Sequence, residues 1–118
     1  MSRSAPLPGL RPDQVEWLMI TANCLLVQQY PESALTLLEF LLCYEPGHQQ
    51  AMLMLGYCYH LCGRQEDALG SLDSLDAQFR QANPVTSLLK AKALAAAGRE
   101  EQAGAHLDAF SLTLEQVQ

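Results

Sequence analysis

The side chains best suited to chemistry in this chain are two cysteines and a histidine within one short segment. Cys58 and Cys62 lie four residues apart, His60 falls between them, and His48 precedes them. Thiolates and imidazoles are the usual ligands of structural zinc, but such sites need two ligand pairs brought together. On a helix, His60 would project about 160° away from Cys62. We therefore predict packed thiols here rather than a metal site.

No other segment carries the residue pattern of an enzyme. His106 and Asp108 could form an acid–base pair, but an exposed last helix explains these two residues better. The sequence contains no phosphate-binding loop, nucleotide fingerprint or metalloprotease pair. We predict no catalytic residue, no metal and no cofactor, and the chain is not expected to be an enzyme.

The charge balance argues against a nucleic-acid partner. The 118 residues include seven Lys or Arg against 13 Asp or Glu, for a net charge of −6, and the only lysines are Lys90 and Lys92. Nucleic-acid binding depends on clustered cations. An acidic surface instead favours a basic or neutral partner. Apolar residues make up 49% of the chain, enough for one continuous core.

The apolar runs and the start of the chain indicate a cytoplasmic protein. No run approaches the roughly 20 apolar residues that span a bilayer, so we expect no direct membrane insertion. Residues 1–11 are polar and rich in Pro, without the apolar centre of a signal peptide. We predict that 1–11 form a flexible arm and 12–118 a single domain. In the cytoplasm the four cysteines would stay reduced.

Three alanines mark a repeat that fills most of this domain. Ala34, Ala68 and Ala103 each follow a turn-like segment, and the spacings between them are 34 and 35 residues. A period near 34 is typical of stacked helix–turn–helix hairpins. We predict three repeats, at about 15–48, 49–82 and 84–116. Stacks of this kind bind polypeptides more often than they catalyse reactions.

Turn and cap residues divide the repeats into six predicted helices. Gly63 and Gly98 are expected to end the third and fifth helices as left-handed C-caps. Asn83 is expected to cap the fifth helix, with Pro84 at its first position. The predicted helices cover about 12–28, 31–44, 48–62, 65–80, 84–97 and 100–114. Strand-like alternation is missing from the sequence, so we predict an all-α fold.

Large and small apolar residues recur in these helices in a fixed register. Small residues recur at Ala22, Gly56 and Ala91, and large residues at Leu25, Tyr59 and Leu94. The pattern resembles the tetratricopeptide repeat, in which small residues let helices approach and large residues fill the seam. The resemblance implies three tandem helix–turn–helix repeats forming a short right-handed α-solenoid. A generic helical bundle is the alternative, although a bundle does not require this register.

In such a solenoid the first helix of each repeat lines a concave groove. The groove positions are mostly apolar with a few polar points, which suits a partner helix or an extended apolar segment. We predict that a partner contacts Met19, Asn23, Leu26, Val27, Leu53, Tyr57, His60, Leu61, Leu88, Lys92 and Ala95. The alternative is that some of these residues, especially Leu26, Leu53 and Leu61, belong to the core. A clamp for a terminal carboxylate does not fit, because its set of cations is missing.

The last predicted helix is expected to contribute an apolar edge. Its final turns contain Phe110, Leu112 and Leu114, and no polar capping helix follows them. A terminal hairpin cannot cover its own apolar face, so an interface is expected there. Fraying of the last helix is the alternative.

The first repeat also resembles a family of small export chaperones of Gram-negative bacteria. The residues that carry the resemblance are Glu16-Trp17-Leu18, Glu32-Ser33-Ala34, Leu37-Leu38 and Glu45-Pro46-Gly47-His48. They are similar to the YscY-type (SctY) chaperones of the type III secretion system, which have a short first hairpin, a double-leucine helix and a Pro-x-His turn. The similarity continues weakly to about residue 114.

This second resemblance implies a specific role. The chain would bind a small early-secreted export protein of the YscX (SctX) type as a heterodimer, without ATP. The cytosolic ring of the export gate would then receive the pair. A needle-subunit chaperone or a translocator chaperone of the same system remains an alternative. So does a general tetratricopeptide scaffold with no role in secretion.

Overall fold

Seven helices and their connections make up the described part of the chain. The computed structural model describes the backbone of residues 9–117, and their side chains except those of 109 and 113–117. The helices are α1 (Pro12–Val27), α2 (Pro31–Tyr44), α3 (Gln49–Leu61), α4 (Gln65–Asp73), α5 (Ala77–Ala82), α6 (Val85–Ala96) and α7 (Glu100–Val117). Residues 9–117 contain no strand, which confirms the predicted all-α fold class.

The helices form three hairpins stacked in chain order. Within the hairpins α1 packs on α2, α3 on α4 and α6 on α7. Neighbouring hairpins meet where α2 packs on α3 and where α4 packs on α6. The stack measures 54 × 28 × 27 Å, and its radius of gyration of 15.8 Å exceeds the roughly 13 Å of a compact domain of this size. This elongation is expected of a solenoid, in which each repeat contacts only its neighbours.

The buried side chains fall into three clusters along the stack. The first joins α1, α2 and α3 around Leu38 and Leu41, and the second joins α4, α6 and α7 around Leu94. A third, smaller cluster lies between them and consists of Leu53, Leu72 and Leu75, with Met52, Phe79 and Leu89 packed against it. The core is therefore continuous from hairpin to hairpin.

The predicted small positions are close helix contacts. Ala34 and Ala68 have no exposed surface. A Cβ atom added to Gly56 would lie 2.9 Å from Leu72 Cδ2, closer than packed atoms approach. A larger side chain at any of these positions would push α3 away from α4 or α1 away from α2, because packed interiors leave no free volume.

The three turns inside the hairpins share one geometry. In each turn a backbone N–H donates to a carbonyl five residues earlier at 2.8 Å, and the pairs are Tyr30 to Leu25, Arg64 to Tyr59 and Arg99 to Leu94. The residue before each donor has positive φ: 68° at Gln29, 79° at Gly63 and 83° at Gly98. This is the Schellman arrangement of helix C-termini, and it confirms Gly63 and Gly98 as left-handed C-caps.

The prediction of one helix over 65–80 is wrong. α4 ends at Asp73, and α5 begins at Ala77, so the second repeat has an additional short helix. The Asp76 carboxylate accepts the N–H of Phe79 at 2.8 Å, which starts a new helix. The N–H of Asp76 donates to Gln49 Oε1 at 2.9 Å, which holds the break against α3.

Asn83 does not cap α6 as predicted. Its side-chain amide instead donates to the carbonyl of Phe79 at 3.0 Å, at the end of α5, and α6 begins at Val85 after Pro84. The other predicted helix ends agree with the structure to within one residue, apart from the end of α7, which extends three residues further.

The predicted N-terminal arm is described only in part. Residues 1–8 lie outside the described residues, and Leu10 packs against the first cluster. Arg11 caps α1, because its backbone N–H donates to Gln14 Oε1 at 2.9 Å. Its guanidinium lies 3.1 Å from the Asp13 carboxylate. Leu10 and Arg11 are thus joined to the first hairpin.

Candidate protein-binding face

The candidate binding surface is formed by α1, α3 and α6, the first helices of the three hairpins. We call it the first-helix face. α3 contacts α6 directly, whereas α1 and α3 are held beside one another by α2, which packs on both. Each of these helices turns its small and large repeat residues toward its partner helix, which leaves its remaining side free for a ligand.

Charge is divided unequally between the first and second helices. The second helices α2, α4 and α7 contain nine Asp or Glu residues and no Lys or Arg. The first helices contain only Asp13 and Glu16 in α1 and Lys90 and Lys92 in α6, and α3 has no charged residue. Of these four charged residues only Lys92 is among the predicted binding residues, so the first-helix face carries little charge. A partner that covers it desolvates few charges, so apolar contacts there carry little opposing cost.

Six of the predicted binding residues are exposed on this face. Among them Val27, Tyr57 and Leu61 present large apolar side chains, and Tyr57 has 36% of its surface exposed. The polar or small members of the exposed set are Asn23, Lys92 and Ala95. Uncovered apolar side chains beside isolated polar groups are the composition expected of a protein-binding surface.

Four further predicted residues are half-buried, namely Met19, Leu26, His60 and Leu88. Met19 and Leu26 pack partly against the first core cluster. His60 Nδ1 lies 2.9 Å from Gln65 Oε1, and the Gln65 amide also donates to the His60 carbonyl, so the ring is fixed in place. Each of these residues can still contribute part of its surface to a partner.

Leu53 does not belong to the surface. It is only 6% exposed and lies in the third cluster, against Leu72 and Leu75. Leu75 lies in the break between α4 and α5 and belongs to the same cluster as Leu53. Leu53 therefore supports the seam between α3 and α4, and we remove it from the candidate binding residues.

Sequence reasoning missed a second exposed apolar group, on the first hairpin. Trp17, Ile20 and Phe40 are largely exposed, and none of them belongs to the predicted face. A signal was present in the sequence, because Trp17 stands where the later repeats have Ala51 and Thr86. A tryptophan in the place of small residues could have shown that this side of α1 is not packed as it is in the later repeats.

Cys58 and Cys62 do not have the properties of reactive or metal-binding groups. Cys58 is fully buried, and burial, with a smaller contribution from Cys62, raises the pKa of its thiol to about 12. Burial also raises the pKa of Cys62. Thiolates are the forms that attack electrophiles and bind zinc, so both residues stay unreactive near neutral pH. Within the described part of the chain, no three His, Cys, Asp or Glu residues are grouped to hold a metal ion.

His106 is placed in a polar cleft between α4, α6 and α7 rather than on the first-helix face. Burial, and to a lesser degree the nearby Lys90 ammonium, lowers the pKa of its imidazole. Lys90 itself forms an ion pair with Asp73. No described helix is both long enough and apolar enough to cross a lipid bilayer.

The family model for the tetratricopeptide repeat matches residues 25–89, which is more than half of the chain. The chain belongs to the tetratricopeptide repeat family. This match, with the three hairpins and their repeated small residues, makes it a small tetratricopeptide solenoid with a protein-binding role. No curated protein and no solved structure matches the chain.

Proposed function

We propose that this tetratricopeptide protein is a type III secretion chaperone that binds a small early-secreted export protein of the YscX type. The partner would lie on the first-helix face as a heterodimer in the bacterial cytoplasm. The chaperone would then help to deliver it to the cytosolic ring of the export gate. In this role the chain performs no catalysis and needs no cofactor.

The apolar and sparsely charged first-helix face is the observation that carries this proposal. Val27, Tyr57 and Leu61 are exposed there without any partner in the described chain. Each large side chain that a partner covers contributes about 1.5–3 kcal/mol before ordering costs. A secreted protein kept unfolded or partly helical has matching apolar segments, and covering them protects both proteins from aggregation.

The assignment to type III secretion is supported by the resemblance of residues 16–48 to the YscY-type chaperones. In the structure these residues form α1, α2 and the turn that contains Pro46 and His48. His48 caps α3, because the N–H of Ala51 donates to its Nδ1 at 3.1 Å. The Pro-x-His turn thus determines where α3, and with it the second hairpin, begins.

Co-expression with a YscX-type protein tests this proposal. We expect the export protein to become soluble and to co-purify with the chain at a ratio of one to one. Tyr57→Ala and Leu88→Glu should each weaken the complex at least tenfold, or about 1.4 kcal/mol, while leaving helical content unchanged. The matched controls are Tyr30→Ala and Leu107→Glu, which change exposed residues outside the first-helix face and outside the apolar end of α7.

A general tetratricopeptide scaffold is the second candidate, and the family match by itself favours it. A scaffold would join larger folded proteins and leave a YscX-type protein insoluble. If co-expression had no effect on solubility while Tyr57→Ala still weakened binding to a folded partner, the scaffold would be the better description. If both face variants bound as tightly as their controls, the first-helix face would not be the binding site.

A further inference from the structure

The outer side of the first hairpin carries an apolar surface separate from the first-helix face. Trp17 on α1 is 61% exposed, and Phe40 on α2 is 47% exposed. Trp17 and Phe40 line one open cavity of about 440 Å3 together with Leu10 and Leu18. We call the surface formed by Leu10, Trp17 and Phe40 the N-terminal edge.

The repeat itself shows that this edge is a helix-docking position. Trp17 corresponds to Ala51 in the second repeat and to Thr86 in the third, which are 0% and 3% exposed. α2 packs on the helix that carries Ala51, and α4 packs on the helix that carries Thr86. Within residues 9–117 no helix packs in the same place on α1. The equivalent side of the first helix is thus covered by another helix in the second and third repeats, and it is exposed in the first repeat.

Because Trp17 is bulky, the helix that docks on this edge cannot be another repeat packed like the internal ones. The internal seams are narrow because small residues, such as Ala51 and Cys58, face the incoming helix. Trp17 holds an incoming helix further away, and its exposed ring then serves as an anchor between large apolar side chains. Exposed aromatic anchors beside a cavity are typical of the centre of a protein interface.

The charge around the edge indicates the chemistry of the occupant. Near the edge Arg11 is paired with Asp13, and Glu16 has no ion-pair partner among the described residues. Asp13 also lines the cavity, and Glu16 lies on α1 beside Trp17. A second copy of this chain would bring a further net charge of −6, and its α7 is acidic. Repulsion between like charges opposes such a pair, and a basic partner is attracted.

From these observations we infer that the N-terminal edge is a second docking surface, which binds an amphipathic helix with an apolar face and flanking Lys or Arg residues. Its apolar side chains cover Trp17 and Phe40, and its cations lie beside Asp13 and Glu16. The surface is independent of the proposed chaperone role, because it shares no residue with the first-helix face.

Trp17 provides a direct measurement, since it is the single tryptophan of the chain. Two synthetic peptides of about 18 residues serve as probes, because a helix of that length spans about 27 Å, close to the 28 Å width of the stack. Both have the same leucine face, and their flanking positions are all Lys in one peptide and all Glu in the other. Trp17 emission reports covering of the edge, and anisotropy of a labelled peptide reports affinity.

We expect the Lys peptide to bind and to shift Trp17 emission to shorter wavelength, and the Glu peptide to bind at least tenfold more weakly. Salt at about 0.5 M should weaken the Lys peptide, since it screens exposed charges. Trp17→Ala and Phe40→Ala should each reduce its affinity at least tenfold. Tyr57→Ala, on the first-helix face, should leave its affinity unchanged.

Three outcomes would overturn the inference. If Trp17 emission stayed constant and Tyr57→Ala abolished binding, the peptide would lie on the first-helix face. If both peptides bound equally, the proposed chemistry of the occupant would be wrong. If the free chain formed a dimer that Trp17→Ala made monomeric, a second copy would be the occupant. The chaperone proposal would survive all three results, because its own test uses the YscX-type protein.

Discussion

Gln29, Gly63 and Gly98 occupy the same place in the three turns that join paired helices, and all three have positive φ. Glycine adopts this conformation freely, whereas a residue with a side chain suffers a clash between its Cβ and a carbonyl oxygen. The repeated hydrogen bonds of the turn hold Gln29 in place, so the first hairpin forms in spite of this local strain.

Gln29→Gly should therefore stabilise the protein. Removing the clash should raise the free energy of unfolding by about 1–2 kcal/mol. The greater freedom of glycine in the unfolded chain should lower it by about 0.5–1 kcal/mol. We expect the free energy of unfolding in urea to rise by about 0.5–1 kcal/mol. Gln28→Gly is the matched control, since Gln28 has φ of −83° and should lose stability. Equal effects at both positions would show that Gln29 is not strained.

Cys58 gives a prediction about alkaline stability. Its thiol has an ordinary pKa of 9.0 when unfolded and a pKa of about 12 in the folded protein. Between these values only the unfolded chain loses the proton, so stability falls as the pH rises through that range. Relative to pH 7, this one group should cost about 1.4 kcal/mol at pH 10.

Cys58→Ala removes this titration, and alanine already occupies the equivalent buried position, Ala93. Unfolding in urea at pH 7 and pH 10 should show a smaller alkaline loss for the variant than for the natural chain. The exposed Cys43→Ala variant is the control and should follow the natural chain. Parallel losses for Cys58→Ala and the natural chain would mean that the thiol does not stay protonated in the fold.

At the scale of helices, the break between α4 and α5 distinguishes the second repeat from the other two. Ser74 Oγ donates to the carbonyl of Gly70 at 2.9 Å at the end of α4, and Asp76 starts α5. Beyond the break, Phe79 of α5 packs against the third cluster. α5 therefore contributes to the seam between the second and third hairpins.

Asp76→Ala should release α5. Loss of the N-cap hydrogen bond costs about 1 kcal/mol, and because α5 has only six residues, most of the effect should be local. We expect faster hydrogen exchange at the amides of 77–82 and little change in α1 and α2. Asp108→Ala, at an exposed aspartate inside α7, is the control. Unchanged exchange in α5 would mean that packing of Phe79 alone holds this helix.

The helices and their spacing were predictable because local residues determine them. Glycines end two helices, prolines begin others, and the small residues recur at a constant interval. The break at Asp76 was not predictable, because it depends on Gln49, which is distant in sequence. Leu53 was placed on the predicted face from its repeat position alone, whereas its burial depends on Leu72 and Leu75, which are distant in sequence. Whether the remaining face residues bind a partner stays a prediction.

At the scale of the whole molecule, the three clusters determine which hairpins unfold together. The buried residues of the first and second clusters lie on different helices, and the two clusters are joined by Tyr59 of α3, which packs against both, and by the third cluster. In a solenoid, stability is approximately a sum over repeats and over the interfaces between neighbours. The two ends can therefore open separately, whereas the centre is coupled to both.

Leucine-to-alanine changes in the three clusters test this arrangement. Leu38, Leu94 and Leu72 belong to the first, second and third clusters and are at most 3% exposed. Each change should cost about 2–5 kcal/mol in global stability. We expect Leu38→Ala to speed hydrogen exchange mainly in α1 and α2, and Leu94→Ala mainly in α6 and α7. Leu72→Ala should speed it at both ends, because it weakens the second hairpin, on which both outer hairpins pack.

Hydrogen exchange followed by mass spectrometry of peptides resolves these helices one by one. Leu112→Ala, at an exposed position of α7, is the control for loss of a leucine without loss of core packing. If Leu38→Ala and Leu94→Ala both raised exchange evenly from α1 to α7, the stack would unfold as one cooperative unit. Coupling that is limited to neighbours instead leaves the first hairpin folded while the last one opens. The N-terminal edge could then keep its partner when the third hairpin is lost.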